Sequence, residues 1–438
     1  MTATADSPDV GGSASADVGR EPSLRGDRSS TVTFDPFEDG FAEWPYDQYA
    51  RLRAADPVHH SPVMGGWMLT RFDDVNRVLK DPAISTDINH ATPTPQTELE
   101  LERRHNMIAG DFDPLPLLDE PEHTRIRRLM APAFRKGSVK DLAERIERHV
   151  DELVDAVVAE RGPEGEIDLV GDLVYPMPVM VICELMGIPD EDGDEFRRLV
   201  QLVALGLDPI LDLETRERCL AAGDEMRAYL AHQISAKRSD PGDDLTSALV
   251  HATDDDGDHL STQELIAQLQ TVYIAGHEPV TATLGNGFLG FLRDRSELDR
   301  LWADRGLVPS AVLELLRYDG PNQFVRRVAL ADLDLSGGSV PAGAVLYACV
   351  GAANHDPDEF GADADHLRVD RDEAVHHLQL GAGIHACLGT HLARLEIEIT
   401  LRRILDRFTG FELARDPEWS QRVVLRSVND LHLRYTTT

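Results

Sequence analysis

The chain has 438 residues, 43 basic and 78 acidic, with a formal charge of -35 and 42% hydrophobic residues. Such a length still allows one large domain with a substantial buried core. The acidic excess argues against a general binder of nucleic acid or anionic membranes and makes any basic cluster conspicuous.

Four scattered cysteines, Cys183, Cys219, Cys349 and Cys387, make no disulfide framework and suit a reducing cytoplasm. Residues 1–32 lack a charged segment followed by an apolar run, so they read as a disordered leader rather than a signal or anchor, and residues 33–438 as one domain. From Phe34 the pattern is structured: "WPYDQYARLRAADPV" predicts a helix, and "GWMLTRFDDVNRVLKD" a short strand, a turn and another helix. Residues 85–115, rich in Thr, Pro and Asn, read as a long loop and a candidate binding segment.

From about Asp119 to Arg305 the period is almost continuously helical, with breaks near "ERGPEGEIDLVGD", "LGLDPILDL" and "RSDPGDDLTSALVHATDDDGDH". The most apolar segment, "LVYPMPVMVICELMGIP", is broken by Pro176, Pro178 and Glu184 and is too short to span a bilayer. Ser261 and Glu264 stand in capping-box spacing and start a helix towards Arg293, about 45 Å at 1.5 Å per residue, enough to cross the domain. A further helix, "SAVLELLRYDG", precedes strand-like pieces "FVRRVAL", "LDLSGG" and "AVLYACVGA", and a long coil runs from Asn354 to Leu380. After Cys387 a last helix carries Leu388, Leu392, Leu395 and Ile399 on one face. The fold class is mainly α with a small β component.

The stretch "LGAGIHACLG", Leu380 to Gly389, sets Cys387 among three glycines just before that helix. Gly381, Gly383 and Gly389 permit tight turns and close approach of a flat ligand, while the helix N-terminus and its N–H groups favour a thiolate. These are the requirements of a thiolate ligand to haem iron. A zinc cluster of His377, His385, Cys387 and His391 is the competing reading, but the spacing follows no zinc pattern and zinc has no need of the glycines.

The same stretch resembles the haem signature F-G-x-G-x-H-x-C-x-G of the cytochrome P450 family, with Leu380 in place of Phe, and further motifs follow in the family's order over about 400 residues. The resemblance implies a P450 fold with haem b between the long central helix and the Cys loop. It implies Cys387 as axial iron ligand, with Leu380, Gly381 and Gly389 shaping the loop. "EHTRIRR" resembles H-T-R-x-R and implies His123 and Arg127 as haem-propionate partners, joined by Arg327 and His385. "ELLR" supplies Glu314 and Arg317 as the E-x-x-R pair. Where most members complete that network with Arg, "DADHL" places His366.

"AGHEPVT" resembles the oxygen-groove motif A-G-x-E-T, implying Ala275, Gly276 and Glu278 as groove residues, but Pro279 replaces the Thr whose hydroxyl serves proton delivery in the family. Thr281 lies about 200° further round the helix and does not substitute. Pro279 also removes the hydrogen bond to the Ala275 carbonyl, which predicts a bend beside Gly276. Glu278 stays a candidate relay acid.

The implied activity is a monooxygenase that uses O2 to hydroxylate or epoxidise a small organic substrate, a secondary metabolite by family analogy. A coupling enzyme or a haem sensor of the same fold is the alternative. The implied setting is cytoplasmic, with no nucleic-acid or membrane partner. No flavin or nicotinamide segment is present, so electrons from NAD(P)H arrive through a ferredoxin reductase and a ferredoxin. The basic run Arg125, Arg127, Arg128, Arg135, Lys136 and Lys140 is the expected dock. Substrate contacts are expected from the 85–115 loop, from Asp208 and Asp212, from Asn322, and from Val428 and Asn429.

Overall fold

A computed structural model describes residues 32–104, 112–134, 142–189, 192–206, 212–254 and 257–438. The segments 1–31, 105–111, 135–141, 190–191, 207–211 and 255–256, which hold the leader, Asp208, Arg135, Lys136 and Lys140, lie outside the described residues.

Helices dominate and three small sheets flank them. The largest sheet has the order β1 (Val58–Ser61), β2 (Gly66–Leu69), β8 (Val345–Cys349), β5 (Phe324–Ala329), β3 (Ile84–Ser85). Its β2–β8 pair is parallel and its other pairs antiparallel. A second sheet sets β10 (His432–Thr437) between β4 (Glu164–Asp168) and β9 (Phe408–Leu413), and β6 (Leu333–Leu335) pairs with β7 (Gly338–Val340). The segment 85–115 is less of a loop than its composition implies: it carries a 3-10 turn, Ile88–His90, and a helix, Pro95–Arg104.

The central helix runs Thr262–Arg293, 32 residues. Its start is fixed locally, because the Glu264 N–H donates to Ser261 Oγ at 3.2 Å and the Ser261 N–H to Glu264 Oε2 at 2.7 Å. From Val280 to Phe291 every residue is buried, so packing on all sides holds this half. The helix continues unbroken through Pro279.

Beneath it the helix Val308–Tyr318 carries Glu314, Arg317 and Tyr318 into the core. Arg317 donates to both Glu314 oxygens, Nε to Oε2 at 2.7 Å and Nη2 to Oε1 at 2.8 Å, and its remaining N–H groups take the carbonyls of Asn354, Ala364 and His366. The third member is not the His366 side chain. His366 is exposed and contributes only its carbonyl, while Arg371 puts Nε 3.3 Å from Glu314 Oε1 and donates to the carbonyls of Phe360, Asp363 and His366. The turn after His366 brings Arg371 inward, at 2% exposure, and a guanidinium has enough donors for three carbonyls and a carboxylate where an imidazole has not.

Removing one partner of a buried, hydrogen-bonded pair leaves the other charge uncompensated. Arg371→Met is therefore expected to lower the unfolding free energy by about 3 kcal/mol, and His366→Ala by less than about 0.5 kcal/mol. Chemical denaturation of both variants measures the difference.

Candidate functional site

Cys387 lies in a loop whose backbone is shaped by glycine where only glycine serves. Gly381 and Gly383 have φ of 71° and 69°, and a Cβ on Gly383 would stand 2.7 Å from the Leu79 carbonyl oxygen. The Cys387 N–H closes the loop onto the Leu380 carbonyl at 2.8 Å, and Thr390 Oγ1 donates to the Cys387 carbonyl at 2.8 Å as the next helix, Thr390–Arg407, begins. The thiol opens on a deep slot. Burial pushes its pKa up, against the Gly389 N–H and the Thr390 side chain. The helix N-terminus alone therefore does not make the thiolate, and a ligated cation is what would deprotonate it.

The opposite wall is one face of the central helix, Gln268, Thr271, Val272, Ala275 and Gly276, at helical spacing, continued by Val280. Gly276 lets this helix approach the helix Pro176–Met186, since a Cβ there would meet Ile182 Cδ1 at 2.7 Å. The slot is thus lined mainly by apolar groups and bordered by a thiol.

Its polar end is unlike the rest. His123, on the helix Glu122–Met130, is 1% exposed with neither ring nitrogen hydrogen-bonded, and its ring lies 4.4 Å from that of His385, whose Nδ1 also has no partner. Arg127 donates to the carbonyls of Ile384 and Ala386. Arg327, placed by β5, is buried and donates to the Arg326 carbonyl at 2.8 Å. Burial first, then the neighbouring cations, depress these groups: Arg327 falls to about 10 and His385 to about 4, and His123 is lowered by burial and Arg127. Two acids stand nearby: Asp119, whose carboxylate already accepts from Ser85 and Thr86, and Glu120, whose Oε1 is 3.9 Å from His123 Nδ1. Two arginines and two imidazoles with idle ring nitrogens suit a ligand with two carboxylates, and the mainly apolar slot suits the rest of a large apolar ring system. The residues present fit haem and its propionates.

Among the described residues no group of three His, Cys, Asp or Glu side chains is placed to hold a metal ion, so the zinc reading fails.

The oxygen-groove motif splits. Ala275 and Gly276 line the slot, whereas Glu278 lines a second cleft of about 790 Å3 together with Tyr175, Thr281, Trp419 and Arg422. There Arg422 Nη1 holds Glu278 Oε2 at 2.7 Å. Thr281 Oγ1 is committed to the Val174 carbonyl at 3.1 Å, and Thr283 Oγ1 to the Pro279 carbonyl at 2.7 Å, so neither hydroxyl replaces the one that Pro279 lacks. The second cleft also brings together Asp212, Val428 and Asn429, while Asn322 donates to the Gln379 carbonyl at 3.5 Å instead.

The described residues of the basic run are engaged within the chain. Arg125 pairs with Glu122, Asp258 and Glu264, Arg128 with Asp254, and Arg127 turns to the Cys loop. Sequence reasoning missed Arg371, Arg422 and Glu396. Only Glu396 had a local signal, a carboxyl on the same face as Leu392 and Ile399.

A family model described as "Cytochrome P450" matches residues 115–426. The cytochrome P450 monooxygenase PikC of Streptomyces venezuelae is 36% identical over 402 residues, covering 90% of this chain and 92% of that protein. The mycinamicin IV hydroxylase/epoxidase of Micromonospora griseorubida is 36% identical over 406 residues, 90% of this chain and 97% of that one. Among solved structures, the bacillaene polyketide synthase cytochrome P450 PksS of Bacillus subtilis 168 superposes with a TM-score of 0.83 at 31% identity, covering 92% of this chain and 100% of that one.

If the polar end of the slot holds propionates, Arg327→Met removes a charge-assisted hydrogen bond of about 1.5–3 kcal/mol and weakens haem retention about 10- to 100-fold. The rate of haem transfer to apomyoglobin measures this. Arg326→Met serves as the control and should leave the rate unchanged.

Proposed function

The chain belongs to the cytochrome P450 family and is a monooxygenase of that family, and on that footing we propose that it binds haem b in the slot and inserts one oxygen atom of O2 into a small organic molecule as hydroxyl or epoxide. The observation that carries this reading is the shared cavity of Cys387, Ala275, Gly276, His123, Arg127 and His385. The bound haem supplies the oxidising chemistry, favoured by electron density from a thiolate ligand.

The chain's own residues bind and orient. Cys387 would supply the thiolate that holds the haem iron, its backbone fixed by the Leu380 carbonyl and by the positive φ of Gly381 and Gly383. His123, Arg127, Arg327 and His385 take the propionates. Ala275 and Gly276 keep the distal wall small enough for O2 and a substrate carbon to approach one another. Glu314 and Arg317, with Arg371, hold the segment that leads into the Cys loop. Pro279 offers neither hydroxyl nor N–H to the oxygen groove. For Glu278 to relay a proton, its pair with Arg422 must open.

The substrate class is a secondary metabolite, supported by the names of this chain's relatives, such as the mycinamicin IV hydroxylase/epoxidase. Electrons from NAD(P)H pass through a ferredoxin reductase and a ferredoxin in the cytoplasm. Since Arg125 and Arg128 are ion-paired internally, the dock rests on the remaining basic residues of that run, Arg135, Lys136 and Lys140, and on the exposed Ile384 of the Cys loop. Pro279 favours a second reading, oxidative coupling by hydrogen abstraction, because that outcome needs no oxygen insertion.

Two measurements test these readings. The reduced protein with carbon monoxide is expected to show the family's long-wavelength Soret band, lost in Cys387→Ala and kept in Cys183→Ala and Cys349→Ala; the reverse pattern would sink the ligand assignment. Turnover with a surrogate ferredoxin and reductase, on a compound first found by its shift of the haem spin state, is expected to give a product heavier by one oxygen atom. A product lighter by two hydrogens identifies coupling, and no product with any spin-shifting compound identifies a sensor.

A further inference from the structure

Three buried arginines, Arg317, Arg371 and Arg426, each hold a carboxylate and at least two backbone carbonyls. Arg422 differs. Its side chain is only 17% exposed and lines the second cleft, yet among the described residues its guanidinium donates to Glu278 Oε2 at 2.7 Å and otherwise only to the Ala204 carbonyl at 3.5 Å. Most of its N–H donors are thus without a partner among the described residues. Glu278, 14% exposed, is its one ionic partner there.

The cleft around this pair has the size and the lining of a small-molecule site. Its volume of about 790 Å3 lies in the range that such sites occupy. Leu205, Trp419, Leu425 and Val428 give it apolar walls, and Gln421 and Asn429 bring amides to them. The loop that presents Arg422 is set in advance: Arg426 stacks on Trp419 and pairs with Asp319, and the Val428 N–H donates to Asn286 Oδ1 at 3.1 Å. The charged groups lining the cleft, among the described residues, are Asp212, Glu278 and Arg422. Asp212 is committed to the start of its own helix, where the Thr215 N–H and Oγ1 each donate to it at 2.8 Å. No residue lines both the cleft and the slot, so a ligand in the cleft needs none of the groups that fit haem.

The charge of the ligand follows from which half of the pair can be left alone. A cation taken by Glu278 would strand Arg422, and a guanidinium cannot shed its proton. An anion taken by Arg422 strands Glu278, and one proton from water neutralises a carboxylate. We propose that the second cleft is a ligand site for an organic carboxylate with an apolar body, which docks on Arg422 by exchange with Glu278. The guanidinium suits a carboxylate with two parallel N–H bonds, and the walls at Leu205, Trp419, Leu425 and Val428 suit the apolar body. Only hydrogen bonds change hands. Such a site is additional to the slot and stands whether or not the slot holds haem.

The test is calorimetry on the full-length, haem-loaded protein, with and without saturating imidazole to occupy the iron. The probes are hydrocinnamate, hydrocinnamyl alcohol and hydrocinnamylamine, which share one apolar body and differ in charge. With imidazole present, hydrocinnamate is expected to bind at least about 10-fold tighter than the other two, and Arg422→Met to weaken it about 10- to 100-fold, the strength of a charge-assisted hydrogen bond. Glu278→Gln keeps Arg422 and removes its competitor, so hydrocinnamate should bind several-fold tighter to that variant. A purely structural ion pair gives no such gain, and this reading does not depend on how well Arg422→Met folds. Equal binding of the three probes, preference for the amine, an unchanged or weaker affinity in Glu278→Gln, or no heat with hydrocinnamate overturns the proposal. Hydrocinnamate that binds only without imidazole occupies the slot, which overturns it equally. A wild type with no imidazole-induced Soret shift refutes the haem reading instead, and the calorimetry still decides the cleft.

Discussion

Glu314, fully buried with two arginines on it, is the constraint from which the proximal half of the molecule hangs. A buried ion pair is weak evidence of stability, because desolvation offsets most of the Coulomb attraction. Its value here is geometric. Arg317 and Arg371 together bind the carbonyls of Asn354, Phe360, Asp363, Ala364 and His366, so a stretch with little regular structure acquires one conformation. Asn354 Oδ1 then accepts from the Leu378 N–H, the Leu378 carbonyl from the Gly381 N–H, and the Leu380 carbonyl from the Cys387 N–H. The position of the sulfur is the last link in a hydrogen-bonded series that starts at a carboxylate 73 residues earlier in the chain.

The distal wall follows from a different constraint, the phase of one helix. Successive residues turn by about 100°, so Ala275 and Gly276 share a face, and Glu278 and Thr281 look into the other cleft. A proline inside this helix removes one hydrogen bond, which elsewhere ends or kinks a helix. Here the turns on its C-terminal side are buried all round, and that packing carries the helix across the missing bond.

What was legible in the sequence was local. Ser261 and Glu264 define a helix start by their own hydrogen bonds, and the glycines around Cys387 define a loop by their backbone freedom, so both could be read at the correct residues. The third arm of the Glu314 network could not, because "DADHL" presents His366 at the expected place while the chain reversal that brings in Arg371 depends on carbonyls of the same loop. Nor could the pairing of Arg125 and Arg128 be read, since a run of arginines in sequence says nothing of Asp254, Asp258 and Glu264, which meet it from more than 120 residues away. The strands β4 and β9 escaped because their short, polar-edged segments, such as "EGEID", lack a clean two-residue alternation, whereas β10 does alternate, with Leu433 and Tyr435 buried, in a run of only six residues.

The fate of Glu278 shows why a motif identifies a residue type but not its task. Its partner Arg422 lies 144 residues on, in a loop that is itself firmly held: Arg426 pairs with Asp319 at 2.7 Å and stacks on Trp419, and the Val428 N–H donates to Asn286 of the central helix. Arg422 is therefore presented to Glu278 by a fixed frame rather than by a free tail, and both side chains are mostly buried, so the pair is screened less than a surface bridge. Opening it would leave two half-desolvated charges unless a ligand in the second cleft, or water, took over one of them.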